Sequence, residues 1–281
     1  MTGHRQLVVN PARMLGRRSF LADLGKGTIA FAVVGLSACS GSDSGGAAVP
    51  VTTGGSTSGD DTSTSTTEAS NSDGGTSGTG DELSWERVSF GFVSAYLLVR
   101  DREVAIVDTG TAGGATQIKA GLDAIGASWS DIGHVILTHS HGDHVGGLAE
   151  VLENAPGATG YAGAGDLPAI AGLDGFDADA LVSVSDGDEV FGLQVIATPG
   201  HTPGHIAVFD DSTGLLVAGD SLNGDSGGLV GANSQFSSDM GAADASVKRL
   251  AEQSVDTVLV GHGEPVVGGA GVLLTDLANS L

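Results

Sequence analysis

From residue 83 onward, apolar side chains come in short runs broken by turn residues. The pattern predicts strands at 88–92, 94–99 and 103–107, the last two joined through Arg100-Asp101-Arg102. Helical spacing follows at 113–125, then an apolar run at 134–138 that reads as a buried strand, then a helix from 143 to 152. Further strands are expected at 181–184, 193–198, 206–209, 215–218 and 257–260, with helices at 242–253 and 273–278. Strands and helices interleave throughout. The expected class is therefore α/β (α+β layered), with two packed mixed sheets and helices outside, rather than a doubly wound single sheet.

The first third of the chain follows another pattern and divides the sequence into 1–38, 39–82 and 83–281. Arg17-Arg18-Ser19-Phe20-Leu21 precedes Lys26 and an apolar run at 28–38 that is too short to span about 30 Å of hydrocarbon as a helix. The paired arginines resemble a twin-arginine export signal, and Leu36-Ser37-Ala38-Cys39 resembles the lipobox at which lipoproteins are cleaved and lipidated on cysteine. The expectation is an exported protein, anchored through Cys39 to the outer face of the cytoplasmic membrane. Cys39 as a small buried apolar residue, or an uncleaved anchor, is the alternative. The twin-arginine route, as the resemblance implies, carries proteins that have already folded. Residues 40–80 are almost wholly Gly, Ser, Thr and Asp, a composition that cannot offset the entropy of ordering. As a flexible coil this tether would reach about 35 Å, as a plain spacer or a glycosylated stalk.

Charge narrows the partners. The formal net charge is −23, and residues 1–38 carry five of the eleven cations, so the remainder is more acidic still. Nucleic-acid binding needs Lys and Arg to displace counterions from phosphates, so nucleic acid is an unsuitable partner. Solubility is the plainer reading of the acidity. Cys39 is the single cysteine, which excludes an intramolecular disulfide and a thiolate metal cluster.

The chemistry concentrates in Thr138-His139-Ser140-His141-Gly142-Asp143-His144, where an apolar strand stops and a helix starts. Residues two apart on extended chain point the same way, so His139 and His141 can share one ion. Gly142 is read as permitting a bend, after which Asp143 and His144 on the first helical turn face a second ion, and Gly146 and Gly147 let that helix pack closely. Other strand ends offer His201 in Thr198-Pro199-Gly200-His201-Thr202-Pro203-Gly204-His205, Asp220 in Ala218-Gly219-Asp220, and His262 in Gly261-His262-Gly263. Singly, a histidine at any of these places is more often structural than a ligand. His134 is read that way, and His205 as structural or as support to a ligand. Asp108 in Val107-Asp108-Thr109-Gly110 either orients a ligand histidine through its second nitrogen or caps a turn.

These segments, in this order, resemble the metallo-β-lactamase superfamily in its glyoxalase II-like and lactonase-like branch, over about residues 85 to 270. The resemblance implies an αββα sandwich. It assigns His139, His141 and His201 to one ion, Asp143, His144 and His262 to the other, and Asp220 to both. It implies two Zn2+ ions, with Fe or Mn possible, and a hydroxide shared between them that cleaves a small ester, lactone or thioester. Asp143 and Asp220 are then the catalytic carboxylates, Asp143 as a candidate to hand a proton to the leaving group.

Departures from the relatives narrow the substrate. No cysteine stands at Asp220, as penicillin-hydrolysing relatives of the cysteine-ligand kind require, and Asn223 stands where lactonase relatives place a tyrosine. Only 19 residues follow His262, whereas glyoxalase II carries a basic helical extension there. Beyond residue 38 the cations are Arg87, Arg100, Arg102, Lys119, Lys248 and Arg249, few for recognising an anion, so a small neutral substrate is expected. Residues 223–240, with Leu229 and Phe236, are either a pocket wall or a plain surface loop. Two other functions compete: an oxidoreductase resembling persulfide dioxygenases, with one iron on the equivalents of His139, His201 and Asp220, and a noncatalytic metal-binding module.

Overall fold

A computed structural model describes residues 83–173 and 180–281. The expected export signal, the lipidated Cys39 and the tether lie outside the described residues. One sheet takes β1 (Ser84–Ser89), β2 (Ser94–Arg100), β3 (Glu103–Val107), β4 (Ile132–Leu137), β5 (Thr159–Gly163) and β6 (Leu181–Val184) in sequence order, antiparallel from β1 to β3 and parallel from β3 to β6. The other runs β13-β10-β9-β8-β7, from β7 (Glu189–Val190), β8 (Leu193–Ala197), β9 (Ile206–Asp210), β10 (Leu215–Gly219) and β13 (Thr257–Val260). A hairpin of β11 (Leu222–Asp225) and β12 (Gly228–Gly231) stands apart from both.

Alternation along each strand sorts the apolar residues into three layers. Ala95 and Leu97 of β2, with Val135 and Leu137 of β4, face α1 (Ala115–Ala124), α3 (Leu148–Asn154) and α4 (Leu167–Ile170) through Ile118, Leu122, Leu148, Val151 and Ile170. Tyr96, Leu98 and Ile136 point the other way and meet Val195, Val208, Val217 and Leu259 of the second sheet. Leu216, Ala218 and Val258 on that sheet's far side pack against Val247, Leu250 and Leu274 of α5 (Met240–Leu250) and α6 (Ala270–Ser280). Helices thus cover both outer faces, which is the expected αββα sandwich. Because both faces of the central strands are buried, their sequences read as continuous apolar runs.

Three local expectations are corrected. The first strand starts earlier and ends before Phe92, which projects into solvent at 63% exposure. The single helix expected at 143–152 is two: α2 (Gly142–Val145) stops at Gly146, and α3 begins after Gly147. The bend before α2 needs no glycine, since a Cβ on Gly142 would meet nothing within 4 Å, and His141 makes the turn with extended φ −67° and ψ 144°.

At one end of the sandwich the sheets are stitched together. Ile206 N–H donates to Thr138 O at 2.8 Å, Ser94 N–H to Gly261 O at 2.9 Å, and the buried Tyr96 hydroxyl to Val260 O at 2.8 Å. These bonds fix the termini of β2, β4, β9 and β13, the strands that carry or flank the candidate residues.

Candidate metal centre

His139 and His141 follow β4, Asp143 and His144 lie in α2, His201 precedes β9, Asp220 follows β10, and His262 follows β13. The structure brings all seven together in three overlapping sets: His139, His141 and His201; His139, His144 and Asp220; Asp143, His144 and His262. Within each set the nearest side-chain nitrogens and oxygens lie within 4.8 Å of one another.

Hydrogen bonds on the far side of each ring fix which nitrogen faces inward. The Thr138 hydroxyl donates to Asp108 Oδ2 at 2.8 Å, so it must accept from His139 Nδ1–H at 3.0 Å. Ser237 Oγ donates to Asn233 O at 2.7 Å and therefore accepts from His201 Nδ1–H at 3.0 Å. His144 Nδ1–H donates to Asp108 Oδ2 at 2.7 Å and His262 Nδ1–H to Phe92 O at 2.7 Å. Four imidazoles thereby turn Nε2 inward, while His141 presents Nδ1. Outer acceptors of this kind are what orient histidine ligands and raise their basicity.

The inward-facing nitrogens are crowded. His141 Nδ1 lies 3.1 Å from His139 Nε2 and 3.0 Å from His201 Nε2, and His144 Nε2 lies 3.5 Å from His262 Nε2. Two nitrogens bound at ~2.05 Å to a tetrahedral zinc stand about 3.3 Å apart. Asp220 reaches both halves of the cluster, with Oδ1 3.3 Å from His144 Nε2 and Oδ2 3.4 and 3.2 Å from the Nε2 atoms of His201 and His262. Among the described residues its buried Oδ1 makes no well-formed hydrogen bond. A buried carboxylate oxygen without a donor costs free energy that a cation would return. The nitrogen spacing, the outer hydrogen bonds that orient four rings and the buried Asp220 oxygen all fit a metal centre.

Electrostatics divide the cluster. Burial holds the His139 imidazole well below the ordinary range and lowers His201 to about 4. Burial also opposes charge on His144, but the Asp108 carboxylate and the facing Asp220 overcome it and push His144 up to about 10. Asp143 and Asp220 together push His262 up to about 10. Asp220 is itself held far below the usual carboxylate range, because His144 and His262 outweigh its burial.

The supporting residues take definite places. Asp108 accepts from His144 Nδ1–H at 2.7 Å and, at the end of β4, from Thr138 N–H at 2.8 Å. It does so from a left-handed backbone, φ 63°. His205 is fully buried: its Nε2 accepts the Asp220 N–H at 3.1 Å, so Nδ1–H donates to Thr198 Oγ at 2.7 Å. Burial lowers it to about 3, which keeps that acceptor free of a proton. Gly261 lies so close to Asp220 Oδ1 that a side chain there would displace the carboxylate, and a Cβ would also come 2.7 Å from His144 Cε1. His134 stands away from the cluster, between Tyr161 and Phe191 and 3.3 Å from Glu103.

Residues 223–240 divide. Leu229 is core on β12, Asn223 donates to Gly231 O across the hairpin at 3.2 Å, and Phe236 is 62% exposed next to the Ser237 that anchors His201. Phe92 stacks on His262 with ring centroids 6.0 Å apart. One exposed phenyl ring thus lies against His262, and another adjoins in sequence the serine that holds His201. Sequence reasoning missed Phe92 because it was counted as strand, and missed Asp166, whose carboxylate joins two ligand loops.

Comparison with known proteins places this geometry in context. The family described as the metallo-beta-lactamase superfamily matches residues 88–262. A hydroxyacylglutathione hydrolase of Methylococcus capsulatus is 39% identical over 105 residues, covering 36% of this chain and 38% of that enzyme, so the chain spans under half of its length. A probable metallo-hydrolase of Bacillus subtilis, YflN, is 30% identical over 187 residues, covering 52% of this chain and 70% of that protein. Among solved structures, TTHA1623 in a di-iron-bound form superposes with TM-score 0.55 at 26% identity, covering 66% of this chain and 96% of that one. The metallo-beta-lactamase SMB-1 shares the fold at TM-score 0.54 and 24% identity, covering 69% of this chain and 90% of that one.

Proposed function

Since the chain belongs to the metallo-beta-lactamase superfamily, we propose that it is a metal-dependent hydrolase of small uncharged esters, lactones or thioesters. His139, His141 and His201 would hold one ion, Asp143, His144 and His262 a second, and Asp220 would contact both. The observation that carries this reading is the buried Asp220 carboxylate set among His139, His144, His201 and His262, four imidazoles whose outer nitrogens are each held by a hydrogen bond. Bound there, two divalent cations, with zinc the first choice, supply an activated water and a positive field for the developing oxyanion.

The chain's own residues do the rest. His205 and Gly261 hold Asp220 between the two histidine sets, and Asp108 and Thr138 keep the rings of His144 and His139 in one orientation. Asp143 is half-buried, with its carboxylate 3.3 Å from His262, and is the acid–base group placed to move a proton to a leaving group. Phe92 and Phe236 offer apolar contact to a substrate at the two ends of the cluster.

An uncharged substrate is supported by the placement of the cations. Arg87, the cation bonded nearest the His262 segment, is committed to Ser94, Gly263 and Glu264, while Arg100 pairs with Asp210 and Arg249 with Asp186. The test is metal analysis of the purified chain together with a panel of esters, lactones and thioesters. Two zinc per chain with turnover is expected, and His141→Ala and Asp220→Ala should each lower kcat/KM by 10²-fold or more, the loss of about 3 kcal/mol of transition-state stabilisation. Unchanged turnover in either variant removes the assignment. One iron per chain with oxygen uptake would favour the dioxygenase reading instead.

A further inference from the structure

Asp166 is a carboxylate at 1% exposure that the proposed chemistry does not use, and among the described residues no Lys, Arg or His pairs with it. It sits at the N-cap of α4, where an aspartate ordinarily accepts from the first turn of its own helix, but it makes no such bond. The side chain is turned toward two ligand loops instead. Oδ2 accepts from Ser140 N–H at 2.8 Å and from Thr202 Oγ–H at 2.6 Å, and Oδ1 accepts from Gly204 N–H at 2.7 Å. Ser140 lies between His139 and His141, and Thr202 follows His201. The backbone beneath is pressed close, since a Cβ on Gly165 would lie 2.8 Å from Gly204 N.

We infer that Asp166 is the positioning residue for the ion set of His139, His141 and His201, clamping the loop after β4 to the loop before β9 so that their histidines share one ion. A buried carboxylate tolerates little loss of its donors, and hydrogen bonds to a charged acceptor are the strong ones. Any drift of one loop against the other therefore breaks bonds to Asp166 before it separates the imidazoles. Among the described residues Asp166 bonds directly to none of Asp143, His144 and His262, so its effect is expected chiefly at the first set. The inference rests on the metal-centre reading and adds to it the residue that sets one half of the geometry.

Asp166→Asn is the sharp test, because it keeps the volume but turns one of the two acceptors into a donor facing a donor. Zinc affinity is read by competition with a chromophoric chelator in two backgrounds: His262→Ala, which cripples the other ion set, and His201→Ala, which cripples this one. In the first background Asp166→Asn is expected to weaken zinc about 10- to 100-fold, the usual cost of losing an outer-shell partner; in the second it should change affinity less than about threefold. Equal losses in both backgrounds, or none in either, overturn the inference. A parent chain that binds no zinc overturns the metal centre itself, and the clamp with it. If Asp166→Asn does not fold, Thr202→Val removes one of the three bonds and should show the same selectivity at smaller size, with Thr202→Ser restoring affinity; a Thr202→Val chain that binds zinc like its parent then overturns the clamp.

Discussion

Whether an imidazole in this cluster carries a proton at neutral pH is decided by what faces its ring. His139 and His201 are lowered, His201 to about 4, so both are neutral at pH 7 and present lone pairs without titration. His144 and His262, each at about 10 beside carboxylates, hold protons at pH 7 that a metal must displace. The sign follows: as pH falls from 8 to 6, affinity at the set with Asp143, His144 and His262 should drop by up to about tenfold per unit for each proton displaced. In the other set His139 and His201 add no proton to that dependence, so its slope should be shallower. Zinc titrations in two buffers of different ionisation heat, at pH 6, 7 and 8, measure both the protons released and the slopes. A common slope for the two ions would refute the division.

Among the elements, those whose pattern reflects one dominant burial were legible in the sequence. The strands β4 and β13 are apolar on both faces, and the ligand motifs sit at their ends, so the pattern itself points to the site. β5 was not, because Gly160 and Gly163 are there to accommodate Leu181 and the Gly204 carbonyl, and a strand of small residues carries no apolar signal. The hairpin of β11 and β12 is also tertiary in origin, with Leu229 anchored on α5 and Gly224 packed on Glu264. The broken helix has the same cause. A Cβ on Gly147 would collide with Thr109 O, and the Thr109 N–H and hydroxyl both bond His144 O, so that break seats a candidate ligand. Two glycines of one motif should then behave oppositely. Gly147→Ala is expected to destabilise by about 1–3 kcal/mol through overpacking, whereas Gly142→Ala, in open space on a helix, should be neutral or stabilising by about 0.4–1 kcal/mol. Thermal unfolding of the two variants decides it, and similar shifts of the same sign would show that neither glycine is placed for this reason.

For the whole molecule, the ligands tie together parts of the chain that folding alone must otherwise hold. His139, His141, Asp143 and His144 come from the first sheet's side, and His201, Asp220 and His262 from the second. Ions bound between them would act as a cross-link across the sandwich, and binding to the folded state alone adds RT ln(1 + [L]/Kd), about 4 kcal/mol at a thousandfold excess over Kd. For a domain of this size that corresponds to roughly 8–16 °C in Tm, so a strong chelator should lower the unfolding midpoint by about that much. The net charge of −23 offers a competing explanation, because any divalent cation would screen self-repulsion in so acidic a chain. The two causes separate cleanly. Millimolar Mg2+ or 0.15 M NaCl screens charge but supplies no imidazole-seeking ion, and should restore little of the lost midpoint, whereas two equivalents of Zn2+ should restore nearly all of it. Full recovery with Mg2+ or salt would mean that general screening, and not an ion held by these seven side chains, accounts for the stability.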